Sequence, residues 1–455
     1  MAAIKPARLL SRKAHLVPGQ LHVTELFFEV PKNYSKPSAG TLKLFGRTVR
    51  KHEAPIIPHS PKELESMDKL PYLVFLEGGP GFGNREPQES PLTRYALNRG
   101  YQLLFLDYRG TGLSTPINTN AMRKLGGPQA QADYLKLFRA DNIVRDSEAV
   151  RLCLTADLPE DRKKWSVFGQ SFGGFVALTY LSKHPGGSRT AEEVYRATYK
   201  KTIERNQAYY RKFPEDIEAV YQVAKYLAEQ NGVALPSGGA LTVQRLLTLG
   251  ISFGTHGGLD SVHALILKMI TDLDQFSFLT RSALTAFENH LPFDTNPIYA
   301  ILHEPIYCYK PGLASAWAAN AVGLSLPLFS WLNPTLPLPS TISTPLHFSG
   351  EMIYPFHFDT YPTLTELKPA AEILAAYDAW DSLYDEAQLA RNEVPVYAAS
   401  FIDDMFVDFE LARETAALVK GIQVFETNNM YHNAVRARTD EVLGQLFRMR
   451  DDSID

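Results

Sequence analysis

The sequence predicts an α/β fold with a mostly parallel sheet and a long helical insertion. Three short apolar runs, each followed by a glycine-containing turn, are typical of inner strands of a parallel sheet that is buried on both faces. These runs are residues 72–76, 101–106 and 165–168. A helical pattern over residues 140–154 separates the second run from the third, which is the alternation expected of an α/β sheet.

The remaining elements follow a consistent order along the chain. Two strand-like segments, residues 22–30 and 40–49, precede the first apolar run. From about residue 187 to 345 the pattern changes to long helices such as 191–213 and 214–229, without strand runs punctuated by glycine.

Strand patterns then return, and a final helix closes the chain. The returning segments are residues 345–349, 394–401 and 422–425, followed by the helix at 440–449. We therefore expect an α/β core formed by residues 1–186 and 346–455, with a helical cap domain, residues 187–345, inserted between its two parts.

Composition narrows the class of protein. Of the 455 residues, 45% are apolar and 21% charged, as in an ordinary soluble globular protein. The net charge of −4 offers no basic surface for nucleic acid. No signal-like segment and no apolar run of about 18 residues is present, so we expect a cytoplasmic protein without a membrane span. The two cysteines, Cys153 and Cys308, are expected to be buried free thiols rather than a disulfide.

The strongest chemical signal is residues 169–174, with the sequence GQSFGG. A serine on a sharp turn between a strand and a helix has its hydroxyl exposed, and small flanking residues permit the turn. The apolar run before Ser171 and the helix-compatible segment after it provide this context. The motif predicts that Ser171 is the nucleophile of an α/β-hydrolase core.

A serine nucleophile needs a base, and the base needs an acid that orients it. In this fold the order along the chain is serine, acid, histidine. Of the 12 histidines, only His432 follows the returning strand and its acidic turn. Asp403 and Asp404 both lie at the end of that strand; we favour Asp404 as the acid, with Asp403 as the alternative.

A glycine-rich turn, residues 77–83 (EGGPGFG), follows the first core strand. Negative charge on a tetrahedral intermediate requires backbone N–H donors, and glycines let the backbone approach closely. Pro80 has no N–H, so Gly79 and Phe172 are the expected oxyanion donors. The turn after the second core strand contains Asp107 and Arg109, which we expect to brace the surrounding loops. No Cys/His cluster has metal-ligand spacing, and we expect no cofactor.

Together these stretches resemble the proline iminopeptidase (prolyl aminopeptidase) family, in its larger fungal and bacterial form. The resemblance rests on segments spread from about residue 75 to 435. They are GGPG (78–81), DYRGTGLS (107–114), DNIVRD (141–146), GQSFGG (169–174), LHEPIY (302–307), GEM (350–352), DDM (403–405) and HN (432–433). One departure is Glu77, where smaller family members have histidine; we expect this residue to tune the loop.

The resemblance implies that the protein releases N-terminal proline from short peptides. A cationic N-terminus requires buried carboxylates near the nucleophile, and Glu304 and Glu351 are the candidates. Surface glutamates remain the alternative for both. Phe172 is the expected contributor to an aromatic pocket for the pyrrolidine ring.

Two other functions fit parts of the sequence. Another capped serine esterase or amide hydrolase would share the triad but lack the glutamates. A non-catalytic binding protein on this fold would usually have lost a triad member, whereas here all three residue types are present.

Overall fold

A computed structural model describes residues 4–52, 60, 69–182, 190–338, 342 and 344–452 of the chain. Its main sheet has six strands in the order β1-β2-β3-β5-β4-β6. The strands are β1 (Arg8–Val17), β2 (Leu21–Pro31), β3 (Thr41–Lys51), β4 (Tyr72–Leu76), β5 (Gln102–Leu106), β6 (Ser166–Gly169), β7 (Val233–Ala234), β8 (Ala240–Leu241), β9 (Val396–Phe401) and β10 (Ile422–Thr427).

Strands β4, β5 and β6 are parallel, as the three apolar runs predict. Their side chains alternate between two buried clusters: Val74 and Leu104 pack on one face of the sheet, and Phe75 and Phe105 pack on the other. Burial on both faces explains why β4 and β5 are continuously apolar. The expectation that the third run is also an inner strand is wrong: β6 lies at the edge of the described sheet, with Ser166 exposed and the rest partly buried. Because Leu76 of β4 pairs with Gly169 of β6, the turns that follow the two strands leave the sheet at the same level.

The acid and histidine segments follow a second parallel pair. Strands β9 and β10 pair in register from Val396–Ile422 to Phe401–Thr427, and they form a separate two-stranded sheet. Both strands end at the same edge, so the turn after β9 and the loop after β10 begin side by side.

Helices surround the sheet and form most of the insertion. In chain order they are α1 (Pro91–Leu97), α2 (Thr119–Arg123), α3 (Pro128–Leu135), α4 (Ala140–Leu154), α5 (Phe172–Leu181), α6 (Ala191–Lys212), α7 (Asp216–Glu229), α8 (Val243–Leu247), α9 (Gly258–Phe276), α10 (Arg281–Glu288), α11 (Pro297–Leu302), α12 (Ala318–Leu324), α13 (His357–Thr360), α14 (Pro362–Ala376), α15 (Glu386–Leu389), α16 (Phe409–Ala417), α17 (Ala434–Ala437) and α18 (Thr439–Asp451).

The insertion has its own apolar core, which continues into segments outside it. Tyr209, Phe253 and Ile266 belong to this core, and so do Met405 and Phe406 from the turn after β9. Packing of interior side chains is dense and not easily deformed. The insertion is therefore joined to the turn that follows β9 through a shared apolar cluster.

One expected strand does not form, and one strand has no counterpart in the sequence prediction. Residues 345–349 form no strand: the backbone N–H and C=O of Phe348 are bonded by the Asn206 side chain, and the Ser349 N–H donates to Leu247 O. The insertion therefore supplies the partners that a sheet would otherwise provide. Strand β1 was not expected, because its charged, largely exposed sequence shows no alternating pattern.

Further expectations from the sequence concern one helix, the two cysteines, a membrane span and a domain boundary. Helix α4 has the expected bounds, and Cys153 and Cys308 are both free thiols, with Cys308 buried and Cys153 partly buried. Among the described residues, no helix combines the length and apolarity needed to cross a bilayer. The expected boundary between residues 186 and 187 lies outside the described residues.

A buried ion pair ties the loop after β5 to α4. Arg109 and Asp146 are 1% and 2% exposed, and the guanidinium donates to both carboxylate oxygens at 2.7 and 2.6 Å. Arg109 also donates to the carbonyl oxygens of Lys32 and Leu137. Asp107 accepts from the Leu113 backbone N–H within the same turn. Both residues thus brace the loops, as expected.

Removing the charge of Asp146 should destabilise the contact between the loop after β5 and α4. We expect Asp146→Asn to lower the free energy of unfolding by about 3–5 kcal/mol, because Arg109 is left as a buried, uncompensated charge. Asp141→Asn on the same helix removes a partly exposed pair with Arg145 and should cost less than about 1 kcal/mol. Urea denaturation measures both values, and equal losses in the two variants would contradict this assignment.

Candidate active site

Ser171 occupies the turn between β6 and α5 in a strained conformation. Its backbone angles are φ 56° and ψ −124°, in a region that non-glycine residues rarely adopt. Such strain costs on the order of 1–3 kcal/mol and persists only where the surrounding structure imposes it. The geometry is that of a turn that exposes the serine side chain, as the GQSFGG motif predicts.

Close backbone contacts explain the glycines on either side of Ser171. A Cβ at Gly173 would overlap the carbonyl oxygen of Leu76, and a Cβ at Gly169 would overlap the carbonyl oxygen of Gly173. The backbone at the start of α5 therefore packs in direct contact with the end of β4. No larger residue fits at these two positions without moving the turn.

The structure brings Asp404, and not Asp403, to His432. Asp404 is 5% exposed, and its Oδ2 lies 2.8 Å from Nδ1 of His432. Its Oδ1 accepts the backbone N–H groups of Phe406 and Val407 at 2.8 and 3.1 Å. The side chain of Asp403 is 44% exposed, and its carboxylate lies 3.7 Å from Nζ of Lys201.

Charges around His432 favour its protonated form. Burial alone would lower the pKa of His432, but the Asp404 carboxylate and, more weakly, Glu351 raise it, and the net direction is upward. With Nδ1 facing Asp404, the other ring nitrogen, Nε2, is left to exchange a proton with a substrate or nucleophile.

The serine turn and the histidine loop touch each other directly. Nε2 of Gln170 donates to the carbonyl oxygen of His432 at 3.1 Å. The residue before the expected nucleophile is therefore hydrogen-bonded to the backbone of the expected base, although the two are 262 positions apart in sequence.

The glycine-rich loop after β4 lies against the serine turn. An ideal Cβ on Gly78 would be 3.1 Å from Cβ of Ser171. The Gly78 N–H donates to Oε1 of Glu77 at 2.9 Å, so that group is already engaged. Gly79 has a φ of 119°, and the N–H of Phe172 lies in the first turn of α5, where it has no partner within the helix. The donor roles of both residues stay a prediction.

The insertion holds the loop that carries His432. The backbone N–H of His432 donates to Gly254 O at 3.1 Å, and the His256 N–H donates to Oδ1 of Asn433 at 2.9 Å. The guanidinium of Arg205 lies over the Tyr431 ring at 4.4 Å. These three neighbouring residues of the loop, 431–433, therefore each contact the insertion.

The turn that carries Asp404 contacts the same part of the insertion. The ring of Phe406 packs 4.6 Å from that of His432, and a Cβ on Gly254 would collide with Phe406. The turn that carries Asp404 and the loop that carries His432 thus both contact one segment of the insertion, close to Gly254.

Glu304 is buried and caps a helix. Its carboxylate is 3% exposed and accepts the backbone N–H groups of Ala318 and Ala319 at 3.1 and 2.9 Å, at the start of α12. Burial raises the pKa of Glu304 to about 8, although these hydrogen bonds oppose the shift. A nearby cation would favour the ionised form.

Glu351 connects to the glycine-rich loop through Tyr299. The Tyr299 hydroxyl donates to Oε1 of Glu351 at 2.7 Å, and the Tyr299 ring lies 5.2 Å from that of Phe82. Glu351 also raises the pKa of His432, so its carboxylate lies within electrostatic reach of that ring. The side chain of His303, which is fully buried, lies between Tyr299 and Tyr307.

Several residues of the site could not be identified from the sequence. The contacts of Gly254, His256 and Tyr299 depend on how the insertion packs on the core. Asn433 belongs to the HN segment (432–433) of the family resemblance, and its bond to His256 gives it a structural role. No sequence signal identifies Arg436, because its contact with Glu77 depends on how two distant loops meet.

One group of potential metal ligands occurs among the described residues, in the insertion. Glu215, Asp216 and His263 lie close together, but Asp216 already accepts from Tyr209 and pairs with Nδ1 of His263 at 3.0 Å. This group is explained by those internal bonds.

The loops around Ser171, on the ends of parallel strands, have the arrangement of the α/β-hydrolase fold. A model of the α/β-hydrolase-fold family matches residues 71–191, a range that contains β4, β5, β6 and the serine turn.

Full-length relatives define the family more narrowly. The chain is 42% identical over 465 aligned residues to the proline iminopeptidase aneH of Aspergillus aculeatus, with 99% of each chain covered. It is 37% identical to a proline iminopeptidase of Aeromonas sobria, covering 97% of this chain and 100% of that protein. The crystal structure of a Mycobacterium smegmatis proline iminopeptidase is similar at a TM-score of 0.39 and 13% identity, over 93% of this chain and 99% of that one. The chain belongs to the proline iminopeptidase family.

The contact between Asp404 and His432 predicts how activity depends on pH. A base must be neutral to accept a proton, so a raised histidine pKa places the acid limb of kcat/KM above the ordinary value of 6.5. We expect Asp404→Asn to lower kcat by about 10⁴-fold, as removal of the acid does in a well-studied triad, and to move the acid limb to lower pH.

Asp403→Asn is the matched control for this experiment. It should leave kcat and the acid limb close to those of the unchanged protein, because its side chain does not contact His432. A large loss in Asp403→Asn with a small loss in Asp404→Asn would reverse the assignment.

Proposed function

We propose that the protein is a serine aminopeptidase that releases N-terminal proline from short peptides. The observation that carries the proposal is the placement of Glu351, a carboxylate that accepts the hydroxyl of Tyr299, whose ring packs on Phe82 of the glycine-rich loop. Such a charge beside a hydrolytic triad favours substrates with a cation close to the scissile bond. The names of the full-length relatives support the same reaction.

The reaction begins with nucleophilic attack by Ser171. Nε2 of His432 accepts the hydroxyl proton as the serine oxygen attacks the carbonyl carbon of the N-terminal residue. Asp404 keeps Nδ1 protonated and stabilises the imidazolium that forms. His432 then gives the proton to the departing amine, which leaves an ester between Ser171 and the prolyl group. Water, activated by His432, hydrolyses this ester and releases free proline.

The oxyanion of each tetrahedral intermediate is stabilised by the N–H groups of Gly79 and Phe172. The engagement of the Gly78 N–H by Glu77 supports Gly79 as the donor from this loop. Preorganised backbone donors of this type commonly contribute a factor of about 10²–10³ in kcat.

Recognition of the substrate amine is assigned to Glu351 and Glu304. Glu351 supplies a charge beside the triad, whereas Glu304 is buried and already bonded to the start of α12. Because the pKa of Glu304 is raised to about 8, a bound ammonium group would draw a proton off this carboxyl near neutral pH. Both glutamates therefore favour a substrate with a free, charged N-terminus.

A small, mostly apolar cavity beside Phe172 suits the pyrrolidine ring. Its lining includes Pro80 from the oxyanion loop, Phe175 from α5, Leu302 and Ile306 from the insertion, and the side chain of Arg139. An apolar cavity of limited size favours a compact ring over a long or charged side chain.

The proposed division of the chain is consistent with this assignment. Residues 1–186 and 346–455 form the hydrolase core, and residues 187–345 form a helical cap that contributes Glu304 and one wall of the cavity. A cap over the nucleophile limits access by long or folded chains, which suits an exopeptidase acting on short peptides. The protein is proposed to be cytoplasmic and to need no cofactor.

A panel of substrates tests the reaction. We expect the protein to hydrolyse prolyl-arylamide and Pro-X dipeptides. It should not hydrolyse X-Pro dipeptides, whose N-terminal residue lacks the pyrrolidine ring, or N-acetylprolyl-arylamide, whose amine is blocked. Release of arylamine and of free proline measures turnover. Hydrolysis of short acyl esters without any hydrolysis of prolyl-arylamide would indicate a capped esterase and contradict the proposal.

The role of Glu351 predicts a selective change in substrate affinity. We expect Glu351→Gln to raise KM for prolyl-arylamide by about tenfold or more, the equivalent of at least 1.4 kcal/mol of lost binding, because a charge-assisted hydrogen bond is lost. Hydrolysis of an acetyl ester, which has no amine, should change much less.

Glu148 offers a matched control. It is a partly buried glutamate that also accepts from a tyrosine hydroxyl, that of Tyr180, near the far end of α5. Glu148→Gln should leave KM unchanged for both substrates. Equal effects of Glu351→Gln on amide and ester would show that Glu351 does not recognise the amine.

A further inference from the structure

The residue before the glycine-rich loop, Glu77, is a buried carboxylate at the end of β4. It is 3% exposed. Burial raises the pKa of Glu77, and the Arg436 guanidinium, the Gly78 N–H and, more weakly, Arg85 oppose that shift. A carboxylate in such a position is costly unless it is paired and hydrogen-bonded.

One oxygen of Glu77 joins two loops of the site. Oε1 accepts the N–H of Gly78 at 2.9 Å and Nη2 of Arg436 at 2.5 Å. The backbone oxygen of Glu77 accepts the Tyr108 hydroxyl at 3.2 Å, which fixes the same residue from the side of β5. The carboxylate thus orients the peptide group between Glu77 and Gly78, which lies directly before the Gly78–Gly79 peptide.

Arg436 lies on α17, four residues after His432, and its side chain is 37% exposed. Its bond to Glu77 spans 359 positions of sequence and crosses from the histidine loop to the oxyanion loop. The insertion contacts residues 431–433 of the histidine loop, whereas Arg436 fixes the end of that loop to the hydrolase core.

We propose that Glu77 and Arg436 form a positioning pair that sets the oxyanion loop relative to the histidine loop. This proposal rests on the proposed function of the site, because it assigns the pair a role in transition-state stabilisation. With the Gly78 N–H turned toward Glu77, the next N–H, that of Gly79, is left for the oxyanion. The pair thereby links the orientation of a donor to the placement of the base.

The pair should act on the transition state and leave ground-state binding largely unchanged. Neither side chain is assigned to substrate recognition, and an interaction made only in the transition state lowers kcat and kcat/KM equally when it is lost. We expect Glu77→Gln, which keeps an oxygen acceptor but removes the charge, to lower kcat about tenfold while KM changes less than about twofold.

The partner residue gives an independent variant. Arg436→Met should lower kcat by about tenfold or more, because it leaves Glu77 buried without its cation. Arg436→Lys keeps a cation and should restore most of this loss. The double variant Glu77→Gln/Arg436→Met should be no slower than the slower single variant, since both changes break one interaction.

Two inhibitors separate positioning from general damage. The aldehyde carbon of prolinal forms a hemiacetal with a serine hydroxyl, and the former aldehyde oxygen then occupies the oxyanion site. Prolinol has the same ring and amine but no electrophilic carbon, so it cannot form this adduct. Glu77→Gln should weaken inhibition by prolinal about tenfold and leave inhibition by prolinol unchanged. Arg151→Met, which breaks a partly exposed pair with Glu148 on α4, is the control and should change neither constant.

The outcomes distinguish this proposal from the assignment of the substrate. All variants are assayed on prolyl-arylamide and on an acetyl ester, with thermal unfolding measured in parallel. If the unmodified protein cleaves only the ester, the aminopeptidase assignment is contradicted. If the Glu77 and Arg436 variants have the same kcat as the unmodified protein on whichever substrate that protein cleaves, the positioning pair is contradicted. A rise in KM at constant kcat, or equal weakening of both inhibitors, also overturns the pair.

Discussion

The site depends on the placement of one loop, residues 431–436, which the chain holds from three directions. Asp404 binds the imidazole of His432, the insertion bonds to the backbone of His432 and the side chain of Asn433, and Arg436 reaches Glu77 at the end of β4. Each of these contacts joins segments that are far apart in sequence. A general base must be held within a fraction of an ångström of its partner, and several independent restraints achieve this better than one.

A second consequence concerns the insertion. Its apolar core includes Met405 and Phe406, and its Gly254 lies against both Phe406 and the backbone of His432. Packed interfaces of this kind do not deform continuously. The insertion therefore contributes to the positions of Asp404 and His432, the proposed acid and base. It also contains Glu304, one of the two glutamates proposed to bind the substrate amine.

The sequence predicted the parallel strands β4 and β5 and the serine turn well, because an apolar run and a glycine motif are read from consecutive residues. Val74 and Phe75 alternate between two buried faces, and Gly173 touches Leu76, as the motif requires. The segment around Phe348 was predicted wrongly, because its apolar residues suit a strand but its backbone partners come from the insertion. The link between Glu77 and Arg436 could not be predicted either, since it depends on how two distant loops meet.

The most direct test is covalent labelling by a fluorophosphonate, followed by peptide mass spectrometry. Such a probe reacts with a serine only when a nearby base activates the hydroxyl. A single adduct on the peptide containing Ser171, lost in both Ser171→Ala and His432→Ala, is the predicted result. Absence of labelling in the unchanged protein, or labelling that persists in His432→Ala at the original rate, would contradict the proposed pairing of Ser171 with His432.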